Sequence, residues 1–483
     1  MLFNSKVFVV FLLVVLAVYY RLGREAKLWF LLAMSYVFYG FWNPWLCGLI
    51  LMSTLVDYGC ALKIDKATSP RARKAWLGVS LTVNLGALAF FKYYNFFLDS
   101  LAFSFVAAGM PIDLERWHLQ LILPVGISFY TFQTLSYTIE VYRGNFKSDP
   151  NLRDFALFVA FFPQLVAGPV ERATHLLPQY KKEFRLTKAA VYEGVYLILL
   201  GFMKKVVIGD RLGRWIEPHF ADPVQWGPTA VVSLLLFTTQ IYVDFSAYSD
   251  IAIGLGKLLG YDIRANFNLP FVVPSIPERW RRWHISMSHW FRDYIYFPLG
   301  GSRLGKARTL LNIMIVMFLS GLWHGASYNF VIWGLLNGLT MTGHRLLLPV
   351  LRPVSAFFDR GPVWKQAYFY FCCWNTMLMI SFINIFFRSD TWEVAKSYVS
   401  QIFLRSSWQY VRWAKKGFPM PDHYEDGLWL MLLVFLAHES QRWFQVKERI
   451  LVRPRVWAGV CASMFLYILL YGIKGPEFIY FQF

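Results

Sequence analysis

Two histidines stand where an ionisable ring is costly to place. His324 lies in LSGLWHGASYNF, residues 319–330, after the apolar run TLLNIMIVMFL, and its nearest formal charges are Arg308 and Arg345. His284 lies in RWRRWHISMSHWFRDYIYFPLGG, residues 279–301, 40 positions earlier (324 − 284). An imidazole titrates near neutrality, so it can take a proton from a reacting group or ligate a metal. At membrane depth such a group is by default a functional hypothesis. Gly321, Gly325 and Ala326 allow close backbone approach and break the helix into two halves beside His324, so the ring can line a cavity and serve as a base.

The other histidines invite blander readings. Of the nine, His118, His175, His219, His423 and His438 fall in or near loops or helix ends, where a solvated or interfacial ring is expected, and His344, followed by Arg345, reads as a helix-end residue.

The elements that must hold these rings are membrane helices. With 57% apolar, 19% aromatic and 16% charged residues over 483 positions, the chain has too little polar surface for a soluble body of this size. Runs such as VFVVFLLVVLAVYY, LWFLLAMSYVFYGFW, VVSLLLFTTQIYV and VCASMFLYILLYGI supply most or all of a bilayer crossing. In lipid the backbone must be satisfied within each segment, so the crossings are helices. The first run lacks a strong basic flank and a small-residue cleavage site and reads as a retained helix. The five cysteines show no C-x-x-C pair and read as packing residues. We expect one membrane domain, residues 1–483, of roughly ten or more helices at ~20 residues each.

The formal charge of +19 does not indicate nucleic acid, because it is distributed as short basic clusters between apolar runs: Arg21–Lys27, 63–74, 181–188, 279–282 and 447–455. That is the positive-inside pattern and sets those loops on the cytoplasmic side. Segments 98–120 and 216–228 then fall outside. The apolar stretch FVAFFPQLVAGPVER is interrupted by Pro163, Gly168 and Pro169, which is tolerated at membrane depth only under cover of protein or a water cavity.

Residues 262–306 form the most informative non-spanning stretch, and 307–345 the broken helix carrying His324. Ser275 and Glu278 have capping-box spacing with Pro277 in the first turn. From there one amphipathic helix is expected, with Trp280, Trp283, Met287, Trp290, Phe291 and Tyr294 on one face, lying at the cytoplasmic boundary as an interfacial arch. His284 sits at the border of the aromatic stripe. Arg279, Arg281 and Arg282 could grip phosphates or anchor the helix to anionic lipid headgroups. The streak Asp244, Ser246, Tyr248, Ser249, Asp250 lies in a segment fit to span; it lines a site near His324, or Asp250 merely lies near a helix end. Glu171 and Arg172 read as a structural ion pair at a re-entrant turn.

RWHISMSHWFRDYIYFPLGG followed by LWHGA resembles the membrane-bound O-acyltransferase superfamily, in its bacterial branch of alginate and peptidoglycan O-acetylation proteins. ILPVGISFYTFQTLSY at 122–137, FFPQLVAGPVER at 161–172, QIYVDFSAYSDIAIGLGKLLGY at 240–261 and the terminal IYFQF at 479–483 fit the same branch. The resemblance implies an all-α, polytopic fold in the bacterial inner membrane, with re-entrant and interfacial helices enclosing a tunnel. It implies acyl transfer from a cytoplasmic acyl-CoA or acyl-carrier thioester, acetyl-CoA foremost, to a hydroxyl of a cell-envelope or exported polysaccharide. His324 is then the catalytic histidine and His284 the second motif position, where related proteins carry His or Asn. A periplasmic SGNH-like acetyltransferase partner is also implied, with no permanently bound cofactor and no metal.

A hydroxyl is a poor nucleophile at neutral pH, so the reaction needs a base such as His324 and donors for the developing oxyanion. Trp323, Tyr328, Asn329 or a backbone amide at Gly325 are the candidates. Two other classes compete. A transporter or channel would account for buried polar residues and broken helices, though no internal repeat is visible. A metal-binding membrane protein would use both histidines, but no third ligand is evident.

Overall fold

The computed structural model describes residues 1–110, 112–166, 168–183, 186–221, 230–403 and 424–475. Every regular element among them is helical, and the chain divides into two compact units, Met1–Val195 with Ile251–Arg264, and Tyr196–Asp250 with Ala265–Phe483. The terminal IYFQF block and His423 lie outside the described residues.

In the first unit local signals set the helix ends. Ser5 accepts the Phe8 amide to open Lys6–Tyr19, Asn43 accepts the Trp45 amide with Pro44 at the next position, and Gly144 in the left-handed region closes Ile127–Arg143. The interrupted apolar stretch, 158–172, holds the end of Leu152–Ala160 and the single turn Phe162–Leu165, and Ala173–Tyr180 follows it. Its rings are sealed in protein, since Phe155, Phe158, Phe161 and Phe162 are all fully buried. Phe162 packs edge-on to Phe11 at 5.4 Å and lies 5.6 Å from Phe38. Broken backbone at this depth is therefore covered, as the physics of an apolar solvent requires.

Glu171 is buried at the end of that stretch. It meets His175 Nδ1 at 2.9 Å and accepts the Arg264 amide at 2.6 Å, so the carboxylate that the sequence suggests for a pair with Arg172 serves the 171–175 turn.

Six helices among the described residues are long and apolar enough to cross a membrane, fewer than the ten or more expected. The physical reason is visible in the first window: Lys6–Tyr19 has only 14 residues, so at ~1.5 Å per residue it falls short of a ~30 Å hydrocarbon core.

In the second unit, three helices carry most of the site. Val231–Leu259, whose first part belongs here, is buried along most of its length. Gly305–His324 ends at the histidine, Gly325 follows in extended conformation, and Tyr328–Phe358 begins after Ser327. The expected break at Gly325 is present, but the second half does not continue the first. It folds back against it, because Gly321 and Gly334 let the two backbones touch. His344 lies inside this second helix, which runs on to Phe358 and not to an end near Arg345.

The arch is two helices, not one. Ser275 does cap Ile276–Arg282 by accepting the Glu278 amide, but the helix stops there, His284 takes φ +43°, and Ile285–Phe291 starts afresh. The cause is tertiary. The Asn268 amide donates to the Arg282 carbonyl at 3.0 Å and the Ile285 amide donates to the Asn266 carbonyl at 2.9 Å. The 266–268 segment thereby takes up backbone groups that an uninterrupted helix would have used internally. The single aromatic stripe from Trp280 to Tyr294 is accordingly split.

Two more histidines depart from the solvated reading. His219 and His438 are buried, each with Nδ1 against a carbonyl four residues back, Trp215 at 2.9 Å and Val434 at 2.7 Å. Both ride inside helices, where that carbonyl is always within reach.

Candidate acyltransfer site

His324 is only 6% exposed. Its ring lies edge-on to three aromatics, Trp323 at 4.9 Å, Trp333 at 5.0 Å and Phe387 at 5.2 Å between centroids. It also borders a cavity of about 20 Å³, room for about one water. The other walls include the side chains of Arg279, Trp280, Trp283, Asn337 and Asn384. This is a small void beside a buried imidazole, walled by aromatic and aliphatic side chains with Arg279, Asn337 and Asn384 among them, on a scale far below the tunnel that the family resemblance implies.

The walls are themselves fixed. Trp333 donates its indole N–H to Asn384 Oδ1 at 3.2 Å, and Asn384 donates to Thr238 Oγ1 at 3.2 Å. Asn337 donates to the Trp333 carbonyl at 2.9 Å. Asn329 donates to the Ser389 carbonyl at 2.9 Å. A buried network of this kind specifies one arrangement of side chains around the ring. Sequence reasoning misses Trp333, Asn337 and Asn384. A signal for two of them is nevertheless present: Asn329, Trp333 and Asn337 recur every fourth residue in the stretch NFVIWGLLN, which sets them on one face.

The three arginines of the arch separate in space. Arg279 is buried between Trp283, 4.5 Å from its guanidinium, and Phe271, 5.6 Å away, and donates to the Pro270 carbonyl at 3.1 Å. Burial lowers its pKa to about 9, which leaves it charged at neutral pH on the wall of the His324 cavity. Arg281 and Arg282 instead pair with Glu278, each at 2.9 Å, toward the surface.

His284 is completely buried. Its ring meets Phe245 at 4.7 Å and Trp323 at 5.8 Å, so Trp323 touches both motif histidines. Burial pushes its pKa down to about 3, which makes it neutral at any physiological pH. Asn266 holds it through Nδ1 at 3.1 Å.

The polar streak of the Val231–Leu259 helix serves another purpose. Asp244, together with Asp210, closes on Lys205, at 2.6 and 2.8 Å, and Asp250 closes on Lys204 at 2.6 Å with Ser246 at 3.3 Å from the same ammonium. Lys205, Asp210 and Asp244 are all buried. Ser249 faces Asn266, 3.5 Å from its amide nitrogen. Of this helix, Ile241 borders the His324 cavity, whereas Asp244, Ser246 and Tyr248 are not among its described walls. Tyr328, a candidate oxyanion donor, is half exposed.

The His324 imidazole thus lies buried at a helix break, beside a small void, in a chain with six helices among the described residues long and apolar enough to cross a membrane. Residues 31–389 match the model of the MBOAT, membrane-bound O-acyltransferase family, and the chain belongs to that family. It is 39% identical over 417 residues to the Probable alginate O-acetylase AlgI of Pseudomonas aeruginosa, covering 85% of this chain and 76% of the relative. It is 33% identical over 440 residues to the Peptidoglycan O-acetyltransferase of Helicobacter pylori, covering 82% and 78%. The Teichoic acid D-alanyltransferase of Bacillus subtilis is 27% identical over 274 residues, covering 54% and 65%. The chain is an acyltransferase of the O-acetyltransferase kind.

Proposed function

We propose that this protein takes an acetyl group from cytoplasmic acetyl-CoA, with His324 as the base, and passes it across the membrane toward a hydroxyl of a cell-envelope or exported polysaccharide by way of a periplasmic partner. The observation that carries the reading is the His324 imidazole, buried at a helix break and bordering a small void that Arg279, Asn337 and Asn384 also line, in a chain whose relatives are named for O-acetylation of alginate and peptidoglycan. The basic clusters support entry of the donor from the cytoplasmic face of a bacterial inner membrane.

The chemistry balances on this chain's own groups. His324 takes the hydroxyl proton as the oxygen attacks the thioester carbonyl, and a tetrahedral oxyanion forms. Arg279 on the same cavity wall favours that negative charge, since a fixed cation in a low-dielectric site acts strongly. Collapse breaks the carbon–sulfur bond, and the imidazolium returns its proton to the thiolate. Arg281 and Arg282, near the surface with Glu278, are placed to meet the phosphates of coenzyme A or of membrane lipid. His284, at the second motif position, assists as a neutral ring. A periplasmic SGNH-like acetyltransferase carries the group on to the polymer.

The test uses purified protein in lipid, labelled acetyl-CoA and a polysaccharide acceptor. Thiol release should fall by ~10²–10⁴ in His324→Ala. Passage of an intact solute without bond cleavage would replace this reading with transport, and stoichiometric bound metal would replace it with metal chemistry. The periplasmic partner should co-purify, and acetylation of the finished polymer by this chain alone would remove the need for it.

A further inference from the structure

Asn266 makes three contacts with one atom. Its Oδ1 receives the Ser286 backbone N–H at 3.2 Å and the Ser286 hydroxyl at 2.9 Å, and lies 3.1 Å from His284 Nδ1. A backbone N–H can only donate, so the Asn266 atom facing it is the carbonyl oxygen and not the amide nitrogen. Its nitrogen points the other way, 3.5 Å from Ser249 Oγ. An oxygen cannot donate to Nδ1, so the hydrogen between them must belong to the ring.

We infer that Asn266 is the positioning residue that locks His284 as its Nδ1–H tautomer, which makes Nε2 an acceptor and not a donor. A ring that holds one proton keeps the other nitrogen unprotonated, and full burial of His284 holds it to one proton. The side chains described against it, Phe245, Trp323, Asn266 and Ser286, do not titrate. At Nε2 His284 can therefore only accept a hydrogen bond, and it cannot stabilise an oxyanion. That leaves the oxyanion to other groups. The left-handed backbone at His284 is part of the same device, because Asn266 and Asn268 hold the chain on both sides of it.

The tautomer rests on hydrogen-bond geometry alone, and its bearing on turnover rests on the acetyl-transfer reading above. Full-length protein with ¹⁵N-histidine in lipid bilayers is examined by magic-angle-spinning NMR, with His284→Gln assigning the signals. The expected spectrum has a protonated, pyrrole-type Nδ1 and a pyridine-type Nε2 at His284, unchanged from pH 5 to 8. Asn266→Leu should lose that preference and lower acetyl transfer by ~10–100-fold, as loss of an orienting partner does elsewhere. Asn266→Asp should keep the Nδ1–H form, recover much of the activity, and let His284 take up a second proton as pH falls, moving the acid limb of the rate profile upward. If Asn266→Leu fails to fold, the wild-type spectrum alone decides, because it reports which ring nitrogen carries the proton. A wild-type spectrum with the proton on Nε2, or a folded Asn266→Leu that keeps the Nδ1–H form, would overturn the inference. The expected tautomer in a wild type that transfers no acetyl would support the assignment and sink the acetyl-transfer reading instead.

Discussion

Gly321 and Gly334 meet backbone to backbone one turn before His324: a β-carbon at 321 would stand 3.1 Å from the Gly334 Cα, and one at 334 would stand 3.2 Å from the Gly321 Cα. Either would also overlap a main-chain carbonyl, Phe330 or Met317 respectively, and a carbonyl in a helix has little room to give. Gly321→Ala and Gly334→Ala should each cost ~1–3 kcal/mol by overpacking and displace the His324 ring. Gly343 has nothing within 4 Å, so Gly343→Ala should be neutral or add up to ~1 kcal/mol through helix propensity. Thermal unfolding in detergent measures the order of the three, and equal behaviour would mean the helices are not packed together as described.

The buried cluster of Lys205 with Asp210 and Asp244 holds one cation against two carboxylates. Lys205→Met leaves two carboxylates stranded and should destabilise the protein by ~3–5 kcal/mol. Asp244→Asn leaves a one-to-one pair and should cost clearly less. A reversed order in the unfolding temperatures would contradict the assignment of Lys205 as the shared partner.

Arg279 and Arg281 should separate sharply despite their proximity in sequence. Arg281→Ala at the surface should change stability by no more than ~0.5 kcal/mol. Arg279→Ala removes a cation packed over Trp283 together with its bond to Pro270, and a desolvated cation–π contact alone is worth ~2 kcal/mol. The same unfolding assay compares them; thiol release at saturating donor should fall in the second, whereas the first should act only through weaker donor binding.

His175 gives stability a pH dependence. Asp262, at 3.6 Å, and Glu171, at 2.9 Å, raise its pKa to about 9 from an ordinary 6.5. A raised value in the folded state means that the stabilisation is fully present below about 6.5 and is lost as pH climbs through 9. Asp262 is shifted the opposite way, mainly by His175, so its share is lost at acid pH. Wild type should lead His175→Gln in unfolding temperature most between pH 5 and 6.5, and the lead should shrink toward pH 9; a constant gap would rule out the charged form.

The parts legible in the sequence are those that depend on local residues. Apolar length gives the helical membrane class, Ser275 with Pro277 gives a helix start, and Gly325 gives the break beside His324. The kink at His284 is hidden because RWHIS contains neither Gly nor Pro; it comes from hydrogen bonds to residues 266 and 268, more than a dozen positions upstream. The lysine partners of Asp244 and Asp250 are hidden for the same reason, lying some forty residues back on a separate helix. The apolar window at the N-terminus likewise does not reveal that its helix, Lys6–Tyr19, ends after 14 residues.

The conformation of residue 284 also limits what can replace it. Few side chains accept φ +43°, and beyond glycine it is mainly asparagine, aspartate and histidine that do so at small cost. Backbone geometry therefore acts as a filter ahead of chemistry, admitting a short list from which evolution can choose a polar group. An exchange of histidine for asparagine there crosses no conformational barrier.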